Sequence, residues 1–130
     1  GGHGALTIAL KQPDRWRSVS AYAPIVAPSQ VPWGRKAFAG YLGFDEGSWL
    51  AHDACALVAG SAWRRPILID QGTADEFLES QLRPELFEQA CAAAGLPLQL
   101  RRQAGYDHSY YFIATFIADH IAHHARALAA

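Results

Sequence analysis

Two short stretches of the chain hold residue types able to move protons. Gln71-Gly72-Thr73-Ala74-Asp75-Glu76-Phe77 follows the apolar run Pro66–Asp70, and Gln103-Ala104-Gly105-Tyr106-Asp107-His108-Ser109 follows the alternating run Leu98–Arg102. In open parallel sheets the functional groups gather just beyond the carboxyl ends of the strands. An acid after one strand and a histidine after the next could therefore meet above the sheet. A carboxylate there holds an imidazole in one tautomer and stabilises its protonated form. Asp75 and His108 are the candidate pair. Plainer readings stand beside it: Asp75 after Gly-Thr-Ala is ordinary turn chemistry, Asp70 and Asp107 are rival acids, and a loop histidine is commonly no more than hydrogen-bonded.

Such a pair calls for a nucleophile. The motif G-x-S-x-G of α/β-hydrolases is a strand-to-helix turn with small residues around its serine, and it precedes first the acid and then the histidine in chain order. None of Ser18, Ser20, Ser29, Ser48, Ser61, Ser80 and Ser109 lies in it. Ser109 adjoins His108 but opens a helix, where capping is its expected role. The first residues, GGHGALTIAL, run glycines straight into a helix with no strand ahead, and the chain contains no Met. If Gly1 closes a G-x-S-x-G, the serine lies two residues upstream of it. The chain is then expected to begin just past its own nucleophile.

The elements that must position these residues are legible from pattern. A helix is expected over residues 2–11, ended by Pro13. Ser18–Tyr22 is a short strand stopped by Pro24, and 24–34 reads as a loop too rich in proline for a regular element. Lys36–Leu42 is a short helix closed by Gly43, and 48–59 a weaker one. Pro66–Asp70 has the continuous apolar character of a strand buried in a parallel sheet. Pro84–Ala94 is a helix with Pro in its first turn and Gly95 at its end. Leu98–Arg102 alternates as a strand, and 109–128 is a long amphipathic helix with Phe112, Phe116 and Ile117 at helical spacing. Strands alternating with helices predict an α/β fold with a mostly parallel sheet and flanking helices. Three strands of this kind leave one flank exposed, so the pattern resembles half of a larger sheet.

Composition narrows the function classes. With 130 residues, 51% hydrophobic and 18% charged, the chain is long enough and apolar enough to build a core. A net charge of −1 offers no electrostatic reason to expect nucleic acid or an anionic membrane as partner. No apolar run approaches the roughly 20 residues of a membrane span. Cys55 and Cys91 are too few and too far apart for a disulfide framework; reduced structural thiols fit better, and with them a cytoplasmic setting. His120 and His124, at i and i+4, raise a metal hypothesis, but the H-E-x-x-H context is absent and a solvated helix face is the preferred reading. Arg101 and Arg102 are read as solvated surface groups, His3 as a packing or hydrogen-bonding group at a helix start, and the cysteines as small fillers.

Four long strings then carry a resemblance. GGHGALTIAL, SAYAPIVAPSQVPWGRKAF, ILIDQGTADEFL and GYDHSYYFIATFIADHIAHHA resemble the S-formylglutathione hydrolase (esterase D) family, in one register from the first residue nearly to the last. The resemblance implies an α/β-hydrolase fold and a Ser–Asp–His triad that uses no metal or organic cofactor. It implies hydrolysis of S-formylglutathione to formate and glutathione, in formaldehyde removal, and cleavage of simple activated esters. Carried over by position, the triad acid falls on Asp75 and the base on His108. The family's elbow reads G-H-S-M-G-G-H-G, of which only Gly1-Gly2-His3-Gly4 correspond here, making Gly1 and Gly2 an elbow remnant. Trp33, Gly34 and Lys36 match a P-W-G-x-K-A-F segment close to the acyl site, so Trp33 and Lys36 are assigned to the substrate pocket.

The resulting expectation is that residues 1–130 form a partial α/β-hydrolase domain, the C-terminal half. The half with the nucleophile elbow and both oxyanion donors would be missing. A small thioester or ester is the expected partner of the complete enzyme, and the 130 residues alone are expected to be inactive. The alternative is a non-catalytic truncated module acting through self-association, as a homo-oligomer, or by pairing with an N-terminal half.

Overall fold

The computed structural model describes residues 1–130. Three strands, β1 (Val19–Tyr22), β2 (Ile67–Gly72) and β3 (Leu98–Gln103), form one sheet in sequence order with every pair parallel. Register places Val19 opposite Ile67 and Ile67 opposite Leu98, while Tyr22 stands opposite Asp70 and Gly72 opposite Gln103. All six residues of the central strand are buried, which is why its sequence is continuously apolar until Asp70.

Six α-helices surround the sheet: α1 (Gly2–Lys11), α2 (Pro32–Leu42), α3 (Glu46–Trp49), α4 (Ala54–Val58), α5 (Pro84–Ala94) and α6 (Tyr110–Ala129). One face of the sheet is covered by α1, α4 and α5. Leu6 and Leu10 of α1, Ala54 and Val58 of α4, and Phe87 and Cys91 of α5 meet Val19, Ala21, Ile67 and Ile69 there in the main core. Each fully buried large aliphatic or aromatic side chain contributes about 1.5–3 kcal/mol to holding these layers together. The opposite face is covered by α6, where Phe112 packs with Ala23 and Leu82 and with the half-buried Tyr22, Tyr106 and Phe116. No helix is long and apolar enough to cross a membrane.

The α/β architecture expected from the alternating pattern is the one observed, and three local expectations need correction. The Pro-rich stretch 24–34 is not all loop: Pro28–Gln30 is a 3-10 turn and α2 starts at Pro32, because proline is tolerated in a first helical turn, whose N–H groups have no intrahelical acceptor. The single helix expected over 48–59 is broken into α3, a 3-10 turn at Leu50–His52, and α4. Asp53 causes the break, since its Oδ1 accepts from the Ala56 N–H and caps a new helix, while its Oδ2 accepts from Ser29. Finally, α6 does not turn its histidines to solvent. His120 is 3% exposed, on the same face as Phe112 and Phe116.

Candidate active site

Past its last residue, Gly72, β2 turns through Thr73 and Ala74 into Asp75, and the loop after β3 is clamped onto this turn. Thr73 N–H donates to the Gln103 carbonyl and Ala74 N–H to the Tyr106 carbonyl, each at 3.0 Å, and Gly105 N–H donates to Thr73 Oγ1 at 2.9 Å. The approach requires glycine at position 72, where a Cβ would stand 2.1 Å from the Tyr106 carbonyl oxygen. These contacts carry His108 to Asp75.

His108 Nδ1 donates to Asp75 Oδ2 at 2.7 Å. The Asp75 side chain is fully buried, whereas that of His108 is 46% exposed. Oδ2 also accepts from Gln71 Nε2 at 3.2 Å, and Oδ1 accepts from the Phe77 backbone N–H at 2.9 Å. A carboxylate only accepts, so Nδ1 carries the proton of this bond, and in the neutral ring the lone pair is on Nε2. The ring of Phe77 stands edge-on to the imidazole with centroids 5.6 Å apart, and Trp33 packs against Phe77 at 4.6 Å. A cavity of about 320 Å³ opens beside His108, walled by Tyr22, Ala23, Phe112 and Ile113. Ala23 is held in the left-handed region at φ 44°, with its N–H donating to the Asp70 carbonyl at 2.8 Å. Strain of this kind costs about 1–3 kcal/mol and tends to be found at functional sites.

The remaining candidates lie around this centre. Gly2 abuts the residues that end β1: a Cβ there would meet Pro24 Cβ at 2.8 Å and the Tyr22 carbonyl at 3.4 Å. The amino end of α1 thus shares with Asp75 and His108 the carboxyl end of the sheet, and Gly1 is exposed just before it. Trp33 N–H donates to Gln81 Oε1 at 2.9 Å, and Lys36 lies exposed on the next turn of α2. Ser109 precedes α6 but its side chain makes no capping bond. His3 Nε2 accepts from the Ala54 N–H at 3.2 Å, the hydrogen-bonding role expected of it; burial holds its pKa below the usual value. Cys55 and Cys91 are free, and burial pushes both thiols up to about 12. They are protonated at neutral pH and unfit as nucleophiles.

A second Asp–His pair lies beneath α6, in place of the solvated groups expected there. Asp70 is wholly buried and accepts from Arg101 Nε and Nη2 at 2.8 and 2.7 Å, from Gln103 Nε2 at 3.0 Å and from His120 Nε2 at 2.7 Å. With both imidazoles neutral, the bonds continue from His120 in one direction. Ser20 Oγ donates to His120 Nδ1 at 2.8 Å, His124 Nε2 donates to Ser20 Oγ at 3.0 Å, and Ser18 Oγ donates to His124 Nδ1 at 2.7 Å. Arg101 also reaches Asp119, and Arg102 pairs with Glu88. Sequence reasoning missed Gln71, Phe77 and this network. The spacing Phe112, Phe116, His120 was the available signal, since it puts His120 on the apolar face of the helix.

Comparison with known proteins assigns the family. A family model described as "Putative esterase" matches residues 1–123. The chain belongs to this esterase family. It is similar to the S-formylglutathione hydrolase of Mus musculus, with 60% identity over 130 residues. That match covers 98% of this chain and 46% of the mouse protein. The solved S-formylglutathione hydrolase from Agrobacterium tumefaciens is 54% identical with a TM-score of 0.94, covering 98% of this chain and 46% of that one. The S-formylglutathione hydrolase structure from Staphylococcus aureus, at 21% identity and a TM-score of 0.70 over 93% of this chain and 49% of that one, shares the fold. The resemblance drawn from the sequence is therefore borne out, and the chain spans about half the length of the relatives it matches.

Proposed function

We propose that the chain supplies the acid–base pair of a serine-type esterase that cleaves thioesters and activated carboxylic esters, with S-formylglutathione as the thioester. The observation that carries this is the 2.7 Å bond from His108 Nδ1 to the buried Asp75 carboxylate, which leaves Nε2 basic on a half-exposed ring beside a cavity. In the reading, His108 Nε2 takes the proton of a seryl hydroxyl as its oxygen attacks the thioester carbonyl. The imidazolium, stabilised by Asp75, returns that proton as the thiolate leaves, and an acyl-enzyme remains. His108 then takes a proton from water, whose oxygen attacks the acyl group, and returns it to the seryl oxygen as the acyl bond breaks and formate leaves. Asp75 orients and stabilises and is not itself protonated.

The serine in this proposal belongs to a G-x-S-x-G ending at Gly1. The position of Gly2 against the end of β1 supports it, since a residue just ahead of Gly1 would lie at the same end of the sheet as His108. The 130 residues alone are then inactive, and a protein in which a strand and G-x-S-x precede Gly1 is active. The test is hydrolysis of S-formylglutathione and p-nitrophenyl acetate by both, with fluorophosphonate labelling of the serine. Activity and labelling only in the longer protein, lost with His108→Ala, are expected. Turnover by the 130 residues that vanishes with His108→Ala would overturn the placement of the nucleophile, and an inert longer protein would overturn the reading itself.

A second reading has one observation in its favour. β1 pairs with β2 alone, so its other edge carries unpaired backbone groups, and Ile8, Trp16 and Ile117 are exposed. Such an edge invites a further strand, either from a second copy or from an N-terminal half. Sedimentation velocity over a concentration series reads the first case: size rising with concentration supports it, and a compact monomer throughout counts against it.

A further inference from the structure

We propose that Gln71 is a positioning residue of this site, its side-chain amide fixing the Asp75 carboxylate and, through it, the tautomer and orientation of His108. Gln71 is wholly buried in β2, next to the last residue of the strand. Its Nε2 donates to Asp75 Oδ2 at 3.2 Å and to the Gly72 carbonyl at 3.1 Å. Both partners are acceptors, so the amide cannot be turned over without setting Oε1 against two oxygens. The NH2 end must face Asp75.

That orientation leaves Oε1 buried without a partner, an arrangement that native structures generally avoid. For packing alone, an apolar side chain of similar length would fill the space without an unsatisfied acceptor. What glutamine adds is a donor. With it, Asp75 is held at both oxygens, Oδ1 by the Phe77 N–H and Oδ2 by Gln71, and Oδ2 is aimed at His108 Nδ1. Without it the carboxylate is fixed from the protein side by the Phe77 N–H alone, and Oδ2 is aimed at His108 less firmly. This role rests on the acid–base reading of Asp75 and His108, but it concerns a hydrogen bond observable whether or not the chain turns over.

The test is proton NMR of the 130-residue chain, reading the His108 Nδ1–H resonance downfield of the amides and its exchange with water, with Asp75→Asn to assign it. In Gln71→Met the signal is expected to broaden and to exchange at least roughly tenfold faster, the effect of losing one charge-assisted hydrogen bond. In Gln71→Glu it is expected to persist, because two touching carboxyl groups share one proton and the neutral one still donates. A packing role predicts the reverse order, with Met benign and Glu disruptive. Loss in Gln71→Glu with retention in Gln71→Met would overturn the role, as would the absence of a downfield resonance in the unaltered chain. Should Gln71→Met fail to fold, Gln71→Glu decides alone: signal kept supports the role, signal lost overturns it. Hydrolysis assays test the esterase reading separately.

Discussion

Asp70 and His120 are joined by a 2.7 Å hydrogen bond, the same length as the bond between Asp75 and His108. Exposure to solvent distinguishes the two pairs. The His120 side chain is 4% exposed and both its ring nitrogens are bonded, whereas that of His108 is 46% exposed and bonds Asp75 through Nδ1 alone. A general base needs an oriented ring and a nitrogen open to the reacting proton. His108 satisfies both conditions, and His120 satisfies only the first.

In a protein that includes the nucleophile, Asp75→Asn is expected to lower kcat/KM by about 10²–10⁴-fold. An amide at that place can present its NH2 to Nδ1 and so favour the wrong tautomer. Steady-state kinetics on p-nitrophenyl acetate check it. His120→Asn in the same protein is expected to lower thermal stability without a comparable loss of rate.

The Asp70 cluster should act on stability. Arg101→Ala removes two donors from a wholly buried carboxylate and is expected to cost about 3 kcal/mol, read as a shifted urea midpoint. Burial alone would raise the Asp70 pKa, but hydrogen bonds from His120, Arg101 and Gln103 outweigh it and hold the carboxyl well below the usual range. A depressed native pKa gives stability that is present above the unfolded value near 4 and lost as pH falls through the native one. The urea midpoint of the chain should therefore drop below about pH 4, and the drop should be shallower in Asp70→Asn.

Gly72→Ala should separate the two functional loops. Its Cβ would lie 2.1 Å from the Tyr106 carbonyl oxygen, so the loop bearing His108 must move. A cost of about 1–3 kcal/mol is expected from overpacking. Shifted His108 ring resonances alongside unchanged core signals would register the displacement.

Both thiols should resist alkylation at neutral pH while the chain is folded, and react once it is unfolded in urea. Burial raises each thiol to about 12. A native pKa above the unfolded one means that stability is full below the unfolded thiol value near 8.5 and declines as pH rises from there towards the native value. Alkylation followed by mass spectrometry tests the first point, and urea melts from pH 8 upward the second.

Much of the fold was legible because it is written in short-range pattern. The buried run Ile67–Asp70, the Pro84 and Gly95 boundaries of α5, and the placing of Asp75 and His108 after successive strands all follow from periodicity and turn chemistry. Asp53 shows where that reasoning stops. As a cap it breaks one expected helix into two, and its second oxygen finds a partner at Ser29, 24 residues away.

By itself the sequence determined the element types and their alternation, hence a parallel α/β sheet with an acid and a histidine at its carboxyl end, because backbone geometry repeats every two or 3.6 residues. Only the tertiary structure decided which acid meets which histidine. Asp70 and Asp75 are five residues apart, His108 and His120 twelve. Both acids and both histidines suit the same chemistry, yet the crossing of β2, β3 and α6 seals one pair and leaves the other open to water. Burial is a property of the whole packed chain: helical spacing puts His120 on an apolar face, but no local pattern marks the partners that Gln71 and His120 find there.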